Sequence, residues 1–149
     1  MAENLPRHVV IIPDGNRRWA KKKGLAVFLG HKEGAETTQK IFRTALELKI
    51  PYLTFWGSSA DNIEKRSKAE VKFLFLIFED YFRKLIKEPS VFENSVKVEI
   101  LGRWREMFPE SLKKTMNELI DITKNHKRHT LTFLMAYSGL EEMREAVGK

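Results

Sequence analysis

Cysteine is absent from all 149 residues of the sequence, and aspartate occurs only at Asp14, Asp61, Asp80 and Asp121. Without cysteine the chain forms no disulfides and holds no metal through thiolates. This suits a reducing compartment, so we expect a cytoplasmic protein. Because aspartate is scarce, the position of each one is informative.

Long apolar runs and the common phosphate loops are also missing. The longest run, FLFLIF at Phe73–Phe78, is far shorter than the ~20 residues of a membrane span. The N-terminus carries no basic-then-apolar export signal, although peripheral membrane contact stays open. The sequence contains neither G-x-x-x-x-G-K-[ST] nor G-x-G-x-x-G, which disfavours nucleoside triphosphate and dinucleotide enzymes.

What is present is a basic, globular composition. Hydrophobic residues make up 42% of the chain and the net charge is +7, so we expect one domain over residues 1–149 that binds anions. Nucleic acid, anionic lipid and phosphorylated small molecules all qualify, and so does a surface of solvated lysines. The basic segment at 124–129 reads as an exposed turn, and we expect no nucleic acid partner.

Strand-like and helix-like segments alternate along the chain. Short apolar runs predict strands at His8–Pro13, Tyr52–Trp56, Val96–Leu101 and Thr130–Tyr137. Longer amphipathic segments predict helices at His31–Lys49, Ser67–Lys87, Pro109–Asn125 and Gly139–Val147. This order predicts an α/β fold in which helices flank a parallel sheet and ligands bind beyond the carboxyl ends of the strands. The sheet would be truncated after its fourth strand, so the chain reads as the front part of something longer.

The segment PDGNRRW follows the first predicted strand directly. Asp14 is a candidate ligand for Mg²⁺, which prefers oxygen and also binds substrate phosphates. Gly15 and Asn16 allow a tight turn, and Arg17 and Arg18 supply forked donors that match phosphate oxygens. The alternative is a plain strand-to-helix turn in which Asp14 caps a helix and the arginines are solvated.

A second polar cluster follows the second predicted strand, on the same edge of the sheet. Its candidate substrate contacts are Ser58, Ser59, Asp61, Asn62 and Arg66. An ordinary turn before a helix is the alternative. His31, at the start of the next predicted helix, can donate to a phosphate or simply lie on the surface.

The helix that begins at Ser67 has apolar side chains on two faces. Its broad apolar stripe should pack on the sheet, whereas Phe73, Leu76 and Ile77 point roughly the opposite way. These three side chains either pack against another helix or line a lipid-binding wall. A diphosphate-type rim beside an apolar wall has the shape of an isoprenoid diphosphate site.

The segments that carry these features resemble a known family. HVVIIPDGNRRWAKKKGL, GHKEGA, LTFWGSSADN and LTFLMAYSGLEEM resemble the cis-prenyltransferases, the undecaprenyl or polyprenyl diphosphate synthase family. The resemblance implies an undecaprenyl diphosphate synthase-like fold and a Mg²⁺-dependent condensation of isopentenyl diphosphate with an allylic diphosphate such as farnesyl diphosphate. It also implies a homodimer in the full-length family form.

The family's site residues carry over position by position. Asp14 would bind Mg²⁺ and assist departure of the allylic diphosphate, and Asn62 would assist proton removal. The substrate contacts would be Gly15, Asn16, Arg17, Arg18, Trp19, His31, Ser59, Ala60, Asp61 and Arg66. The helices from His31 and Ser67 would wall the product tunnel, with Phe73, Leu76 and Ile77 in its lining.

The chain also departs from the family pattern. Val27 stands where the family often has an arginine, Ile63 replaces a tryptophan, and the family's C-terminal third is missing. The chain would therefore be the N-terminal two-thirds of the family's domain or a shortened relative. Three readings stay open: a cis-prenyltransferase, a non-catalytic isoprenoid-diphosphate-binding subunit or inactive fragment that needs a partner chain, and a basic nucleic-acid-binding domain.

Overall fold

The computed structural model describes residues 4–148, which form four strands and eight helices. The strands are β1 His8–Ile11, β2 Tyr52–Trp56, β3 Val96–Leu101 and β4 His129–Leu134. The helices are α1 Asn16–Lys22, α2 Val27–Glu47, α3 Ala60–Lys65, α4 Lys68–Ile86, α5 Pro89–Glu93, α6 Trp104–Met107, α7 Glu110–Thr123 and α8 Gly139–Val147.

The four strands form one parallel sheet in the order β1-β2-β4-β3, which confirms the predicted α/β class. β4 inserts between β2 and β3, and Phe55 of β2 lies in register with Phe133 of β4. Because all strands run the same way, their carboxyl ends meet at one edge of the sheet. The segments after β1, β2 and β4 therefore lie close together.

The predicted element boundaries are right for β2, β3 and α8 and shift for the other predicted elements. β1 stops at Ile11, before Pro13, which has no N–H to donate to a ladder. α2 begins at Val27, four residues before the predicted start at His31. The sequence did not predict α1, α3, α5 or α6, because helices this short show too little periodicity.

The hydrophobic core lies between one face of the sheet and the three long helices α2, α4 and α7. Alternate strand residues enter it, as shown by Leu53 and Phe55 of β2 and by Leu131 and Phe133 of β4. In the described residues the opposite face is less covered, since Val10 and Tyr52 are 56% and 46% exposed. The helices at 4–148 thus flank the sheet mainly on one side.

Helix α4 follows the predicted start signal closely. Ser67 is its N-cap, and the Ser67 hydroxyl oxygen accepts a hydrogen bond from the Glu70 backbone N–H at 3.2 Å. Leu74, Phe82 and Leu85 are buried against the sheet, and the Phe82 ring meets Phe133 edge-on at 5.2 Å. The Ser67 cap sets where α4 begins, and the apolar stripe sets which face of the helix points toward the strands.

The helices at 4–148 include none that is both long enough and apolar enough to cross a bilayer. The last helix, α8, buries no side chain in the described part of the chain. Its apolar residues Leu140, Met143 and Val147 are all exposed. The polar contacts of α8 include its Ser138 cap and the ion pair between Glu141 and Arg103.

Candidate active site

A cavity of about 780 Å³ opens between α2, α4 and the carboxyl ends of the strands. This volume lies in the usual range for small-molecule sites. Its floor is formed by Phe55 and Phe133 on the covered face of the sheet, and Trp56, Gly57 and Met135 lie at the strand ends. The cavity therefore lies where the parallel topology predicts a ligand site.

The cavity lining divides into a charged mouth and an apolar interior. The mouth carries Asp14, Gly15, Asn16, Arg17, Arg18, Lys21, His31 and Arg66. The interior is lined by Leu74, Ile77, Phe78, Phe82 and Phe133. An amphiphile with an anionic head and a hydrocarbon tail fits this division, because each end meets surface of matching character.

Asp14 lies at the mouth with its side chain 79% exposed. One carboxylate oxygen accepts from the Gly15 backbone N–H at 2.6 Å, and the other accepts from an Arg18 guanidinium N–H at 3.0 Å. Gly15 is the N-cap of α1 at φ +92°, a left-handed conformation that glycine adopts without strain. The turn thus presents a carboxylate and a guanidinium side by side.

The donor set at Asp14 fits one kind of metal site. Within residues 4–148 there is no group of three or more His, Cys, Asp or Glu side chains that could hold an ion by themselves. Mg²⁺ commonly binds through one or two carboxylates and fills its other positions with water and substrate phosphates. Asp14 therefore fits a Mg²⁺ ion that is shared with a phosphate ligand.

Glu70 is the carboxylate around which the basic groups of the mouth gather. One oxygen, Oε1, lies 3.2 Å from His31 Nε2, 3.5 Å from an Arg66 guanidinium nitrogen and 3.6 Å from Arg17 Nε. The Glu70 side chain is only 14% exposed. Glu70 was not among the predicted site residues. The four-residue spacing of Arg66 and Glu70 at the start of a helix could have indicated that their side chains pair.

The surroundings of His31 and Arg66 change their acid–base behaviour. Burial lowers the pKa of His31, and the charges of Arg66 and Arg17 lower it further, while the hydrogen bond that His31 donates to Glu70 opposes the shift. Burial also lowers the pKa of Arg66, again against the attraction of Glu70. Both groups are thus partly desolvated, which strengthens their interaction with an anion in the cavity mouth.

Glycines on α2 let α1 approach it closely. A Cβ at Gly30 would lie 2.2 Å from the Asn16 backbone oxygen, and one at Gly34 would lie 2.6 Å from the Asn16 side-chain nitrogen. Gly30 and Gly34 are one helical turn apart and share a face. This contact explains the GHKEGA segment physically, because it seats the turn at Asp14 against the wall of the cavity.

Part of the predicted polar cluster after β2 lies away from the cavity lining. Gly57 and Arg66 line the cavity, but the intervening Ser59, Ala60, Asp61 and Asn62 do not. Ser59 caps α3, and its hydroxyl oxygen accepts from the Asn62 backbone and side-chain N–H groups at 2.9 and 2.5 Å. Asp61 pairs with Lys65, and Ala60 is buried. Trp19, on α1, also lies outside the lining at 39% exposure.

The predicted tunnel residues Phe73, Leu76 and Ile77 all line a second, smaller groove between α2 and α4. Of these three, Ile77 also lines the cavity. In the groove, the Phe73 ring stacks on Phe28 at 4.9 Å. The three side chains therefore share one surface, but Phe73 and Leu76 lie outside the cavity lining, and their place in a product tunnel stays a prediction. Part of the sheet-facing stripe of α4, including Leu74 and Phe82, lines the cavity as well as packing in the core.

Tyr81 is a further cavity residue that the sequence analysis assigned only to packing. Its ring is buried and meets Phe133 edge-on at 5.8 Å. Its hydroxyl is buried and has no hydrogen-bond partner among the described residues. Burial raises the pKa of this phenol well above its ordinary value.

Comparison with known proteins places the chain in a family. A family profile described as "Putative undecaprenyl diphosphate synthase" matches residues 12–149. A tritrans,polycis-undecaprenyl-diphosphate synthase (geranylgeranyl-diphosphate specific) of Archaeoglobus fulgidus is 37% identical over 143 residues, which cover 96% of this chain and 56% of the relative. An isoprenyl transferase of Shouchella clausii is 39% identical over 145 residues, covering 97% of this chain and 55% of the relative.

A solved structure supports the same assignment. The lavandulyl diphosphate synthase from Lavandula x intermedia, crystallised in complex with dimethylallyl diphosphate, superposes with a TM-score of 0.89 at 34% identity. The match covers 96% of this chain and 60% of that one, so this chain spans little more than half the length of its relatives. With the profile match over nearly its whole length, the chain belongs to the undecaprenyl diphosphate synthase family of prenyltransferases.

Proposed function

We propose that this protein is a cis-prenyltransferase that condenses isopentenyl diphosphate with an allylic diphosphate, and that the cavity binds the allylic substrate. The observation that carries this proposal is the cavity itself, which joins a basic mouth to an apolar interior. The names of the relatives, all prenyl diphosphate synthases or transferases, support the same reaction class.

In this proposal the basic groups of the mouth bind the diphosphate. Arg17, Arg18 and Arg66 offer forked donors that match phosphate oxygens, and His31 adds an N–H donor. During condensation the allylic carbon–oxygen bond breaks and pyrophosphate departs with the bonding electrons. A carbon–carbon bond to isopentenyl diphosphate forms, and a proton leaves. Negative charge builds on the departing pyrophosphate, and fixed cations at the mouth stabilise it.

Asp14 is the proposed ligand for Mg²⁺, together with the substrate phosphates. The ion, when bound, would supply positive charge against the leaving group. Asn62 is the proposed aid to proton removal, and Ser59, Ala60 and Asp61 are proposed contacts of the second substrate. They form the N-cap and first turn of α3, between the lining residues Gly57 and Arg66 in the chain, and this position supports a neighbouring subsite.

The apolar interior is the proposed place of the prenyl tail. Leu74, Ile77 and Phe78 of α4 face the floor formed by Phe55 and Phe133. Removing a hydrocarbon tail from water contributes about 0.8 kcal/mol per CH₂ group that is buried. Farnesyl diphosphate should therefore bind more tightly than inorganic pyrophosphate.

The first experiment compares these two ligands by isothermal titration calorimetry. Phe78→Ser should weaken farnesyl diphosphate binding and leave pyrophosphate binding unchanged, because Phe78 lines the apolar interior. Phe73→Ser is the matched control, since Phe73 lies outside the cavity lining. Equal affinities of the unmodified protein for the two ligands would contradict the proposed tail site.

The second experiment measures incorporation of labelled isopentenyl diphosphate. Incorporation should require Mg²⁺ and should be abolished by Asp14→Ala, but not by Asp80→Ala, which removes an exposed aspartate paired with Lys84. Farnesyl diphosphate binding without incorporation would favour the alternative, a non-catalytic isoprenoid-diphosphate-binding subunit that needs a partner chain. The isolated position of Asp14, with no acidic cluster around it in the described residues, is the observation that keeps this alternative open.

A further inference from the structure

One oxygen of Glu70 is shared by three basic side chains that come from three different parts of the fold. Arg17 belongs to α1, His31 to α2 and Arg66 to the junction between α3 and α4, and all three lie within 3.6 Å of Oε1. Glu70 itself is in the first turn of α4. A single carboxylate therefore cross-links the four segments that surround the cavity mouth.

Electrostatics alone would drive these segments apart. Two guanidinium groups on one side of a small cavity repel each other, and their charges disfavour protonation of the neighbouring imidazole. Both effects grow as the site is desolvated. The charge of Glu70, on a side chain that is 14% exposed, offsets this repulsion at short range. The basic groups can then be in place before any anion arrives, which reduces the cost of ordering them during binding.

We propose that Glu70 is a positioning residue, whose carboxylate holds Arg17, His31 and Arg66 in the arrangement that receives the diphosphate group. This inference rests on the proposed function, since it concerns the same site. Glu70 acts through the three basic groups and need not touch the substrate. The helix-capping role of the same residue uses its backbone N–H and is separate.

A competing role for Glu70 predicts the opposite sign. If Glu70 were only a negative charge near the mouth, it would repel a diphosphate, and removing the charge would strengthen binding. If Glu70 positions the basic groups, removing the charge weakens binding although the site becomes more positive. The direction of the change therefore separates the two roles.

The test uses Glu70→Gln, which keeps the shape of the side chain and removes its charge. Inorganic pyrophosphate and farnesyl diphosphate are titrated into each variant by calorimetry. We expect both to bind about tenfold more weakly, by analogy with residues that orient metal ligands, whose loss commonly costs about 10- to 100-fold in affinity. Unchanged or tighter binding would overturn the proposal. Glu79→Gln is the matched control, because it removes the charge of a similarly buried carboxylate on α4 that pairs with Arg83 and lies outside the cavity lining.

A second readout does not depend on any ligand. The pKa of the His31 imidazole is measured by NMR in the unmodified protein and in Glu70→Gln. The groups that face this imidazole are Glu70, Arg66 and Arg17, so loss of the Glu70 charge should lower its pKa further. An unchanged His31 pKa would overturn the contact on which the proposal depends.

The two readouts also separate this inference from the proposed function. If the unmodified protein binds neither pyrophosphate nor farnesyl diphosphate, the proposed function fails and the diphosphate role of Glu70 fails with it. The NMR titration then still decides whether Glu70 holds His31. If the unmodified protein binds both ligands and Glu70→Gln binds them equally well, the proposed function stands and the positioning role is overturned.

Discussion

Tyr81→Phe should stabilise the folded protein, although it deletes an atom from the interior. The Tyr81 hydroxyl is buried between α4 and the sheet and finds no hydrogen-bond partner in the described residues. In the unfolded chain the same hydroxyl is fully hydrated. Folding therefore removes its hydrogen bonds to water without replacing them, and phenylalanine avoids that loss while filling the same ring volume.

The expected magnitude follows from the cost of burying an unpaired hydroxyl. Protein mutational data place this cost at about 1–3 kcal/mol. Part of the gain is lost because the removed oxygen leaves a small void. We therefore expect the free energy of unfolding to increase by about 1 kcal/mol, which corresponds to a rise in melting temperature of about 2–4 °C for a chain of this length.

The pH dependence gives the same prediction a second, independent readout. Burial raises the pKa of Tyr81 in the folded state, so the folded protein keeps the phenol neutral at pH values where the unfolded chain ionises it. The stability that this neutral form contributes is complete below the unfolded pKa of about 10 and is lost as the pH rises above that value. The stability advantage of Tyr81→Phe should therefore widen above pH 10.

The assay is urea denaturation, followed by circular dichroism at pH 7 and at several values between 9 and 11. Tyr137→Phe is the control, since the Tyr137 hydroxyl is exposed to solvent and already donates to Glu142. At pH 7 that change should alter the free energy of unfolding by no more than about 0.5 kcal/mol. A loss of stability in Tyr81→Phe would refute the reasoning, because it would mean that the hydroxyl has a partner such as a buried water.

Three further predictions concern the cavity mouth. Gly30→Ala should destabilise the fold by about 1–3 kcal/mol and weaken pyrophosphate binding, because its Cβ would lie 2.2 Å from the Asn16 backbone oxygen. Urea denaturation measures the stability change, and Gly139→Ala is the control, since the nearest atom to its Cβ would be 3.8 Å away. Burial lowers the pKa of His31 from 6.5, so the stability contributed by its neutral form is present above pH 6.5 and lost as the pH falls. His31→Gln should therefore reduce the loss of stability between pH 7 and pH 5, measured by urea denaturation. Asp14→Asn should change the free energy of unfolding by no more than about 0.5 kcal/mol from that of the unmodified protein, since the Asp14 side chain is 79% exposed. In calorimetry, the same substitution should abolish the increase in pyrophosphate affinity that Mg²⁺ provides.

The parallel sheet could be predicted from the sequence because its strands are short apolar runs separated by long amphipathic helices. β2 and β3 were placed to the residue, and the Ser67 cap located the start of α4. The insertion of β4 between β2 and β3 could not be predicted, since hydrophobic pattern identifies strands without ordering them. Short helices such as α3 were missed because six residues span less than two turns.

The candidate site could be predicted where it depends on a single strand end. Asp14, Arg17 and Arg18 follow β1 directly, and the topology carries them to the cavity mouth. Contacts between distant segments were beyond the sequence: the approach of Glu70 to His31 spans 39 residues and depends on how α2 and α4 pack. The sequence predicts the two apolar faces of α4, but it could not show which of them lines the cavity.

Two departures from the usual pairing of buried polar and charged groups occur at this cavity. Elsewhere in the core, buried polar groups find partners, as when Trp104 Nε1 donates to the Ile100 carbonyl and the Thr123 hydroxyl donates to the Leu119 carbonyl. At the cavity, the Tyr81 hydroxyl is unpaired, and the Glu70 carboxylate serves several cations at once. Unpaired polar groups and crowded like charges are destabilising unless something outside the chain compensates them. An anionic head group would supply the remaining hydrogen-bond acceptors for the basic groups at the mouth. Deeper in the cavity, Tyr81→Phe would remove the unpaired hydroxyl. The two substitutions proposed at Tyr81 and Glu70 thus probe opposite ends of one site, the first through stability and the second through affinity.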